Sequence, residues 1–240
     1  MIDLHTHSTA SDGTLTPTEL VAAASKCGLT AVALTDHDTV AGIDEFLAAA
    51  QGSPVQAIPG VEIACSWYGA SLHLVGLFID PADKSLTRLL AQVRKDRSER
   101  NRQILRALKA QGVELTHEAV CECARGQVIG RPHFAAALVK GGWCKNLQHA
   151  FDLFIGKGKS AYVRRFLPLP SEAVKAIHTA GGVAVWAHPL GGAPQSRKKK
   201  LRQVTRHLQR IGVDAMEVYY SDYSDVETSR SLEIATEFDM

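Results

Sequence analysis

Histidine and carboxylate side chains at a few positions of this 240-residue sequence are the groups best suited to chemistry. The first two belong to His5-Thr6-His7, which follows a short apolar run. Because side chains two apart on a strand point to the same face, these imidazoles converge. Convergent imidazoles are typical first ligands of a divalent metal ion. Further candidate ligands follow in chain order: Asp12, His37, Glu62, His73 and His188.

Most of these candidates come at or just after the end of a predicted strand. In parallel α/β folds the carboxyl ends of the strands form one edge, and the functional site is built there. We therefore expect the candidate ligands to gather at this edge. The strands concerned are predicted over residues 2–5, 30–35, 55–58 and 183–187.

Two candidates have more specific expectations. A carboxylate such as Glu62 can bridge two cations about 4 Å apart, and such a pair is a recurrent hydrolytic device. His73 alternates with Leu72 and Leu74 in a strand predicted over residues 72–79, so its side chain should point away from the core.

Strands and helices alternate through the first and last parts of the chain, which indicates parallel βα units. Thr16-Pro17-Thr18-Glu19 has the residues of a capped helix start, and that helix should run to about Lys26. Further helices are predicted over residues 41–51, 171–180, 198–210 and 225–238, and a further strand over 214–219.

The middle of the chain has a different pattern. It is helical and highly charged over residues 83–111, with shorter helices near 116–124, 132–140 and 146–154 and a strand at 161–163. This pattern predicts a helical insertion. We assign residues 1–88 and 166–240 to an α/β domain and residues 89–165 to a mainly helical, substrate-binding insertion.

The distribution of charge agrees with this division. Residues 1–88 carry 3 Lys and Arg against 10 Asp and Glu, whereas residues 89–170 carry 15 against 6. An acidic first part suits a cation site, and a basic middle suits an anionic substrate beside it. Part of the basic excess, over residues 94–106, is expected on a solvated helix surface. The basic run 197–200 is also interpreted as a solvated helix start.

The composition is that of a globular enzyme, with 45% apolar and 22% charged residues. No apolar stretch is long enough for a membrane span, and no secretory signal is visible. Five scattered cysteines indicate reduced thiols and a cytoplasmic protein. We expect no membrane, duplex DNA or protein partner.

Several motifs together resemble one family. They are the segment Met1–Gly13, Leu34-Thr35-Asp36-His37-Asp38, Pro59-Gly60-Val61-Glu62-Ile63, His73-Leu74-Val75-Gly76 and Ala187-His188-Pro189. They resemble the PHP superfamily, named for polymerase and histidinol phosphatase. Ile129-Gly130-Arg131-Pro132-His133-Phe134-Ala135 and Gly158-Lys159-Ser160-Ala161-Tyr162-Val163 resemble its branch of 3′,5′-nucleoside bisphosphate phosphatases and 5′-to-3′ exoribonucleases.

The resemblance implies a distorted, TIM-like, seven-stranded βα barrel with two to three divalent ions. Mn²⁺ is the expected metal, with Fe²⁺ or Zn²⁺ as alternatives. The implied ligands are His5, His7 and Glu62 for one ion, Glu62, His73 and His188 for a second, and Asp12 and His37 for a third. Arg131, His133 and Lys159 are implied to bind the substrate phosphate, and His133 and Glu62 to take part in catalysis. Asp36 and Asp38, which flank His37, are expected to be structural or to orient a ligand.

The family pattern continues with one more strand carrying Gly-Ser-Asp-x-His, whereas this sequence ends at Met240. We therefore expect the barrel to lack its last strand, as in a truncated chain.

The resulting hypothesis is a metal-dependent phosphoesterase that acts through a metal-bridging hydroxide. Its expected substrates are the 3′-phosphate of nucleoside 3′,5′-bisphosphates, the 5′ ends of short RNA, or both. One alternative is a non-catalytic metal-binding module, for which we expect no more than one bound ion. Another is a phosphatase for a different small monoester such as histidinol phosphate.

Overall fold

The computed structural model describes residues 1–68, 70–124, 128–191 and 200–240. Within these residues six strands form one sheet in chain order. The strands are β1 (Ile2–Thr6), β2 (Ala31–Leu34), β3 (Gln56–Trp67), β4 (Ala70–Leu77), β5 (Val183–Ala187) and β6 (Ala215–Met216). The α/β class is confirmed; the described residues form six strands, and the seven-stranded barrel that the resemblance implies stays a prediction.

The sheet is mixed: the parallel pairing expected for the first and last parts of the chain is found there, and the centre of the sheet is antiparallel. Strands β1 to β3 are parallel, β4 is antiparallel to both of its neighbours, and β5 and β6 are parallel. Only two residues separate β3 from β4. A parallel connection needs a crossover of about a dozen residues or more, so these strands must form a hairpin.

Strand β3 is much longer than the predicted strand over 55–58, and Glu62 lies in its middle instead of after its end. The strand changes partner at Pro59-Gly60: residues 56–59 pair with β2, and residues 60–67 pair with β4. A Cβ on Gly60 would lie 2.8 Å from the carbonyl oxygen of Gly76, so glycine permits this close crossing. The Pro-Gly pair marks the change of partner, not the end of a strand.

The helices follow the predictions closely. They are α1 (Pro17–Lys26), α2 (Ile43–Ala50), α3 (Lys84–Lys109), α4 (His117–Ala124), α5 (Arg131–Lys140), α6 (Leu147–Ala150) with a π-helical turn at Phe151–Ile155, α7 (Pro170–Thr179), α8 (Leu201–Arg210) and α9 (Asp225–Phe238). The capping box of Thr16 and Glu19 is formed at the start of α1. The described residues include no helix that is long and apolar enough to cross a membrane.

Three smaller expectations have different outcomes. Residues 161–163 form a turn and irregular structure instead of a strand, and the strand predicted over 214–219 is reduced to β6. The start of the helix predicted over 198–210, and most of the basic run 197–200, lie outside the described residues.

Helix α3 connects two hydrophobic clusters. Leu86 and Leu90 near its start pack in the cluster around β3, β4 and β5, which includes Trp186. Ile104 and Leu108 near its end pack in a second cluster formed by the middle of the chain. This helix therefore joins the sheet to the helical segment, and the division at residues 88 and 166 stays a prediction.

Candidate metal centre

Five imidazoles surround the carboxylate of Glu62, whose side chain is 1% exposed. Its Oε1 lies 2.7 Å from His73 Nδ1 and 2.9 Å from His188 Nε2. Its Oε2 lies within 2.9 to 3.4 Å of nitrogens on the other three histidines, which are His5, His7 and His37. We call these six residues the cage.

The strands explain why these distant residues meet. His5 lies on β1, and His7, His37 and His188 follow the ends of β1, β2 and β5. Residue 37 also forms a parallel bridge with Glu62. His73 on β4 is two residues from Val75, the antiparallel partner of Glu62, so both side chains occupy the same face.

Asp12 approaches the cage from the more exposed side. Its carboxylate oxygens lie 3.5 Å from His7 Nδ1 and 3.6 Å from His37 Nε2, and its side chain is 40% exposed. The loop that carries Asp12 is held by buried Asp36, which accepts hydrogen bonds from the Ser8 N–H at 2.8 Å and from the hydroxyls of Ser8 and Ser11 at 2.6 and 2.5 Å. The Asp36 side chain thus positions the loop, and its main-chain carbonyl oxygen accepts the Glu62 N–H at 3.2 Å.

Glu217 is a site residue that the sequence analysis missed. One of its oxygens lies 3.1 Å from His5 Nδ1, and the other accepts the His188 N–H at 2.6 Å. A carboxylate behind a ligand histidine fixes the orientation and tautomer of the ring. Its position just after β6 was the available signal, because parallel β5 and β6 bring the residues after their ends together.

The cage has opposing electrostatic influences. Burial disfavours the charged form of His5, but the carboxylates of Glu217 and Glu62 outweigh burial and raise the pKa of His5 to about 10. Burial also opposes ionisation of Glu62, yet the facing histidines, His37 foremost, hold its pKa well below the ordinary value. The pKa of His73 is lowered, chiefly by burial. Glu62 is therefore an anion, and the imidazole rings around it differ in how readily they take up a proton.

The donor atoms fit divalent cations. Two groups of three ligands have donor atoms within 4.8 Å of one another: His5, Glu62 and His188, and His7, His37 and Glu62. Imidazole nitrogens with a shared carboxylate suit first-row divalent metals. Glu62 belongs to both groups, as a bridging ligand would. The implied assignment of individual ligands to individual ions stays a prediction.

Glu217→Gln should weaken cation binding by about 10- to 100-fold, because it removes the anion that orients His5. It should also reduce the number of protons released on cation binding near pH 7, since His5 must lose its proton to bind a metal ion. Calorimetric titration of the metal-free protein in buffers of different ionisation enthalpy measures both quantities. Unchanged affinity and proton release would show that Glu217 does not act on His5.

A cavity of about 880 Å³ opens onto one side of the cage. His73 and His188 line it, so it reaches the cage directly. Its described lining includes six cationic side chains and no carboxylate. The cations are Arg97, Arg100, Arg131, Lys157, Arg164 and Arg165.

We call the cationic side chains that line this cavity the arginine wall. Its arginines are crowded and partly buried. Burial and the neighbouring arginines lower the pKa of Arg100 to about 9 and that of Arg165 to about 10. The buried Nε atoms of Arg97 and Arg100 have no hydrogen-bond partner among the described residues. Unpaired buried donors beside an excess of positive charge suit an anionic ligand.

The expectation that residues 94–106 form a solvated surface is wrong for two of them. The Arg97 side chain is 13% exposed and Arg100 is 5% exposed. They follow buried Val93 at helical spacing of four and seven residues and so share its inward face. That spacing in the sequence could have predicted that these two arginines face inward.

The residues implied for phosphate binding are distributed unevenly. Arg131 lines the cavity, with its guanidinium 5.3 Å from the ring centre of Tyr162 and 6.0 Å from that of Phe151. Lys159 is exposed and is not part of the described lining, whereas Lys157 is. His133 also lies outside the lining; its Nδ1 accepts the Gly130 N–H at 3.0 Å, and burial lowers its pKa.

The chain is similar to known proteins in both sequence and structure. The sequence matches the PHP domain family over residues 3–152. It is 39% identical to a 5′-3′ exoribonuclease of Haemophilus influenzae, over 99% of this chain and 86% of that protein. It is 37% identical to a 3′,5′-nucleoside bisphosphate phosphatase of Chromobacterium violaceum, over 93% and 78% respectively. A solved structure of a Chromobacterium violaceum amidohydrolase, with bound sulfate and no metal, superimposes with a TM-score of 0.86 at 33% identity, covering 100% of this chain and 84% of that one.

Proposed function

The chain belongs to the PHP domain family, and we propose that it is a phosphoesterase that hydrolyses phosphate esters of nucleotides with the help of two to three divalent cations. One observation carries this proposal: a cavity with six cationic side chains opens onto a cage of five imidazoles around one carboxylate. The cage suits the cations and the cavity suits the anionic substrate.

The residues of the site have different proposed roles. When bound, divalent cations supply Lewis acidity toward phosphoryl oxygens and activate water. Glu62 and the histidines around it hold the cations, and Glu217 keeps the ring of His5 in place. Arg131 can grip a phosphate through two parallel N–H donors. His133, whose Nδ1 accepts the Gly130 N–H, is the proposed hydrogen-bond donor, through Nε2–H, to the leaving oxygen.

Nucleotides with a 3′- and a 5′-phosphate, or short RNA with a 5′-phosphate, are the proposed substrates. Both carry an anionic group beyond the phosphate that reacts, and the arginines beside the cage can accept it. The two relatives described above bear names for these two activities.

The test is phosphate or nucleotide release by the metal-loaded protein. Adenosine 3′,5′-bisphosphate and a 5′-phosphorylated oligoribonucleotide should be turned over, and a chelator should stop both reactions. A protein without metal-dependent release from either substrate would contradict the proposal. Mn²⁺ is the proposed metal, and parallel assays with Fe²⁺ and Zn²⁺ at equal metal content rank the three ions.

A matched pair of lysine variants tests the cavity wall. Lys157→Gln should raise KM for the bisphosphate about 3- to 10-fold, because it removes a cation from the cavity lining. Lys159→Gln, two residues away, should change KM by less than about twofold, since this side chain lies outside the described lining. Steady-state kinetics of both variants at one ionic strength decide the matter. A larger effect at Lys159 would support its originally implied role in phosphate binding.

A further inference from the structure

Asp38 lies where the arginine wall meets the cage. Its carboxylate is fully buried and pairs with Arg97 of α3 and with Arg165, which is 3.3 Å away on the segment before α7. Arg94 also donates a hydrogen bond of 2.9 Å to the Asp38 carbonyl oxygen. Two distant segments of the chain are thus fastened to one residue.

The backbone of Asp38 is joined to the cage in turn. Its N–H donates to the Glu62 carbonyl oxygen at 2.8 Å, and its carboxylate accepts the Ala64 N–H at 3.3 Å. It directly follows His37 and has a φ of +55°, a conformation that few residues other than glycine, asparagine and aspartate adopt readily. The backbone of Asp38 is therefore held at a fixed distance from the candidate metal ligands, while its side chain faces the arginine wall.

We propose, on the basis of the proposed function, that Asp38 is a positioning residue that holds Arg97 and Arg165 at the cavity wall and so gives the site its preference for ligands with a second anionic group. Five arginines line this wall, and Asp38 is the acid that Arg97 and Arg165 contact. Without its charge they would repel one another and leave their positions. With it, the Nε of Arg97, which has no hydrogen-bond partner among the described residues, is held beside the cavity as a donor for an anion.

Asp38→Asn is a suitable test, because asparagine tolerates the positive φ and keeps an oxygen acceptor for the Ala64 N–H while the charge is lost. In the metal-loaded protein, the ratio of kcat/KM for adenosine 3′,5′-bisphosphate to that for p-nitrophenyl phosphate should fall about tenfold, mainly through KM for the bisphosphate. Asp214→Asn is the matched control, since Asp214 pairs with His178 outside the cavity. It should leave the ratio unchanged.

A binding measurement separates this inference from the proposed function. With chelator present, Asp38→Asn should bind adenosine 3′,5′-bisphosphate about tenfold more weakly than the wild-type chain in calorimetry. If the wild-type chain binds the bisphosphate but never hydrolyses it, the proposed function fails and the positioning role stands. If the wild-type chain does not bind it, or if Asp38→Asn binds it as tightly or more tightly, the positioning role is wrong.

A second variant keeps the test decisive if Asp38→Asn does not fold. Arg165→Gln leaves Asp38 paired with Arg97 and should give the same selective loss of bisphosphate affinity. Where both single variants fold, the double variant should lose less affinity than the sum of the two, because the carboxylate acts through the arginine. Additive losses, or equal losses for both substrates together with a loss of metal, would overturn the proposal.

Discussion

Glu62→Gln is expected to lose cations from both ligand groups and to lower phosphoesterase turnover by roughly 10³-fold or more, since bound metal ions contribute several kcal/mol to such reactions. Glu62 is shared by both groups, and each of its oxygens faces imidazole nitrogens. A glutamine amide offers one neutral oxygen and an NH₂ group that cannot bind a cation. One substitution should therefore remove a ligand that both cations share.

Comparison with His188→Gln sharpens this prediction. His188 belongs to only one of the two groups, so its loss should reduce metal content by about one ion per chain and leave the other group. Glu233→Gln is the control for a glutamate outside the site, since Glu233 pairs with Arg202 on the surface. Emission spectroscopy of dialysed protein counts the ions. If Glu62→Gln retains as many ions as the wild-type chain, Glu62 is not the shared ligand.

The cage was predictable because its signals are local. Four of the five histidines (His5, His7, His37 and His188) lie at or just after the end of a predicted strand, and residues at strand ends of an α/β sheet meet at one edge whatever their separation in the chain. The alternation of Leu72, His73 and Leu74 also sufficed: both leucines are buried in the core cluster, and the histidine faces Glu62.

The parts that sequence reasoning missed depend on contacts between distant segments. Arg165 is 127 residues from Asp38, and no local pattern links them. The exchange of partners within β3 was hidden because a Pro-Gly pair more often ends a strand than marks a change of neighbour. Lys157 and Lys159 lie in one glycine-containing stretch, Gly156-Lys157-Gly158-Lys159, and no pattern in the sequence distinguishes the lysine that lines the cavity.

Arg131→Lys is expected to raise KM for adenosine 3′,5′-bisphosphate about 10- to 100-fold, even though the formal charge is kept. Hydrogen bonds to charged groups contribute about 1.5–3 kcal/mol, and ~1.4 kcal/mol corresponds to a factor of ten in affinity. The guanidinium carbon lies 5.3 Å and 6.0 Å from the ring centres of Tyr162 and Phe151, and one Nη donates to the Ile155 carbonyl oxygen at 3.5 Å, contacts that help to orient its donors. A lysine ammonium lacks the planar fork of donors and stacks less well on aromatic rings.

The matched control for this prediction is Arg202→Lys, because Arg202 forms two carboxylate contacts with Glu233 and Glu237 outside the cavity. Kinetics and thermal unfolding of both variants separate recognition from folding. A rise of KM in Arg131→Lys alone, with the melting temperature preserved, assigns the loss to the ligand. A KM within twofold of the wild-type value would mean that only the positive charge at this position contributes to substrate binding. The cavity would then attract the substrate by its charge, without a bidentate phosphate contact.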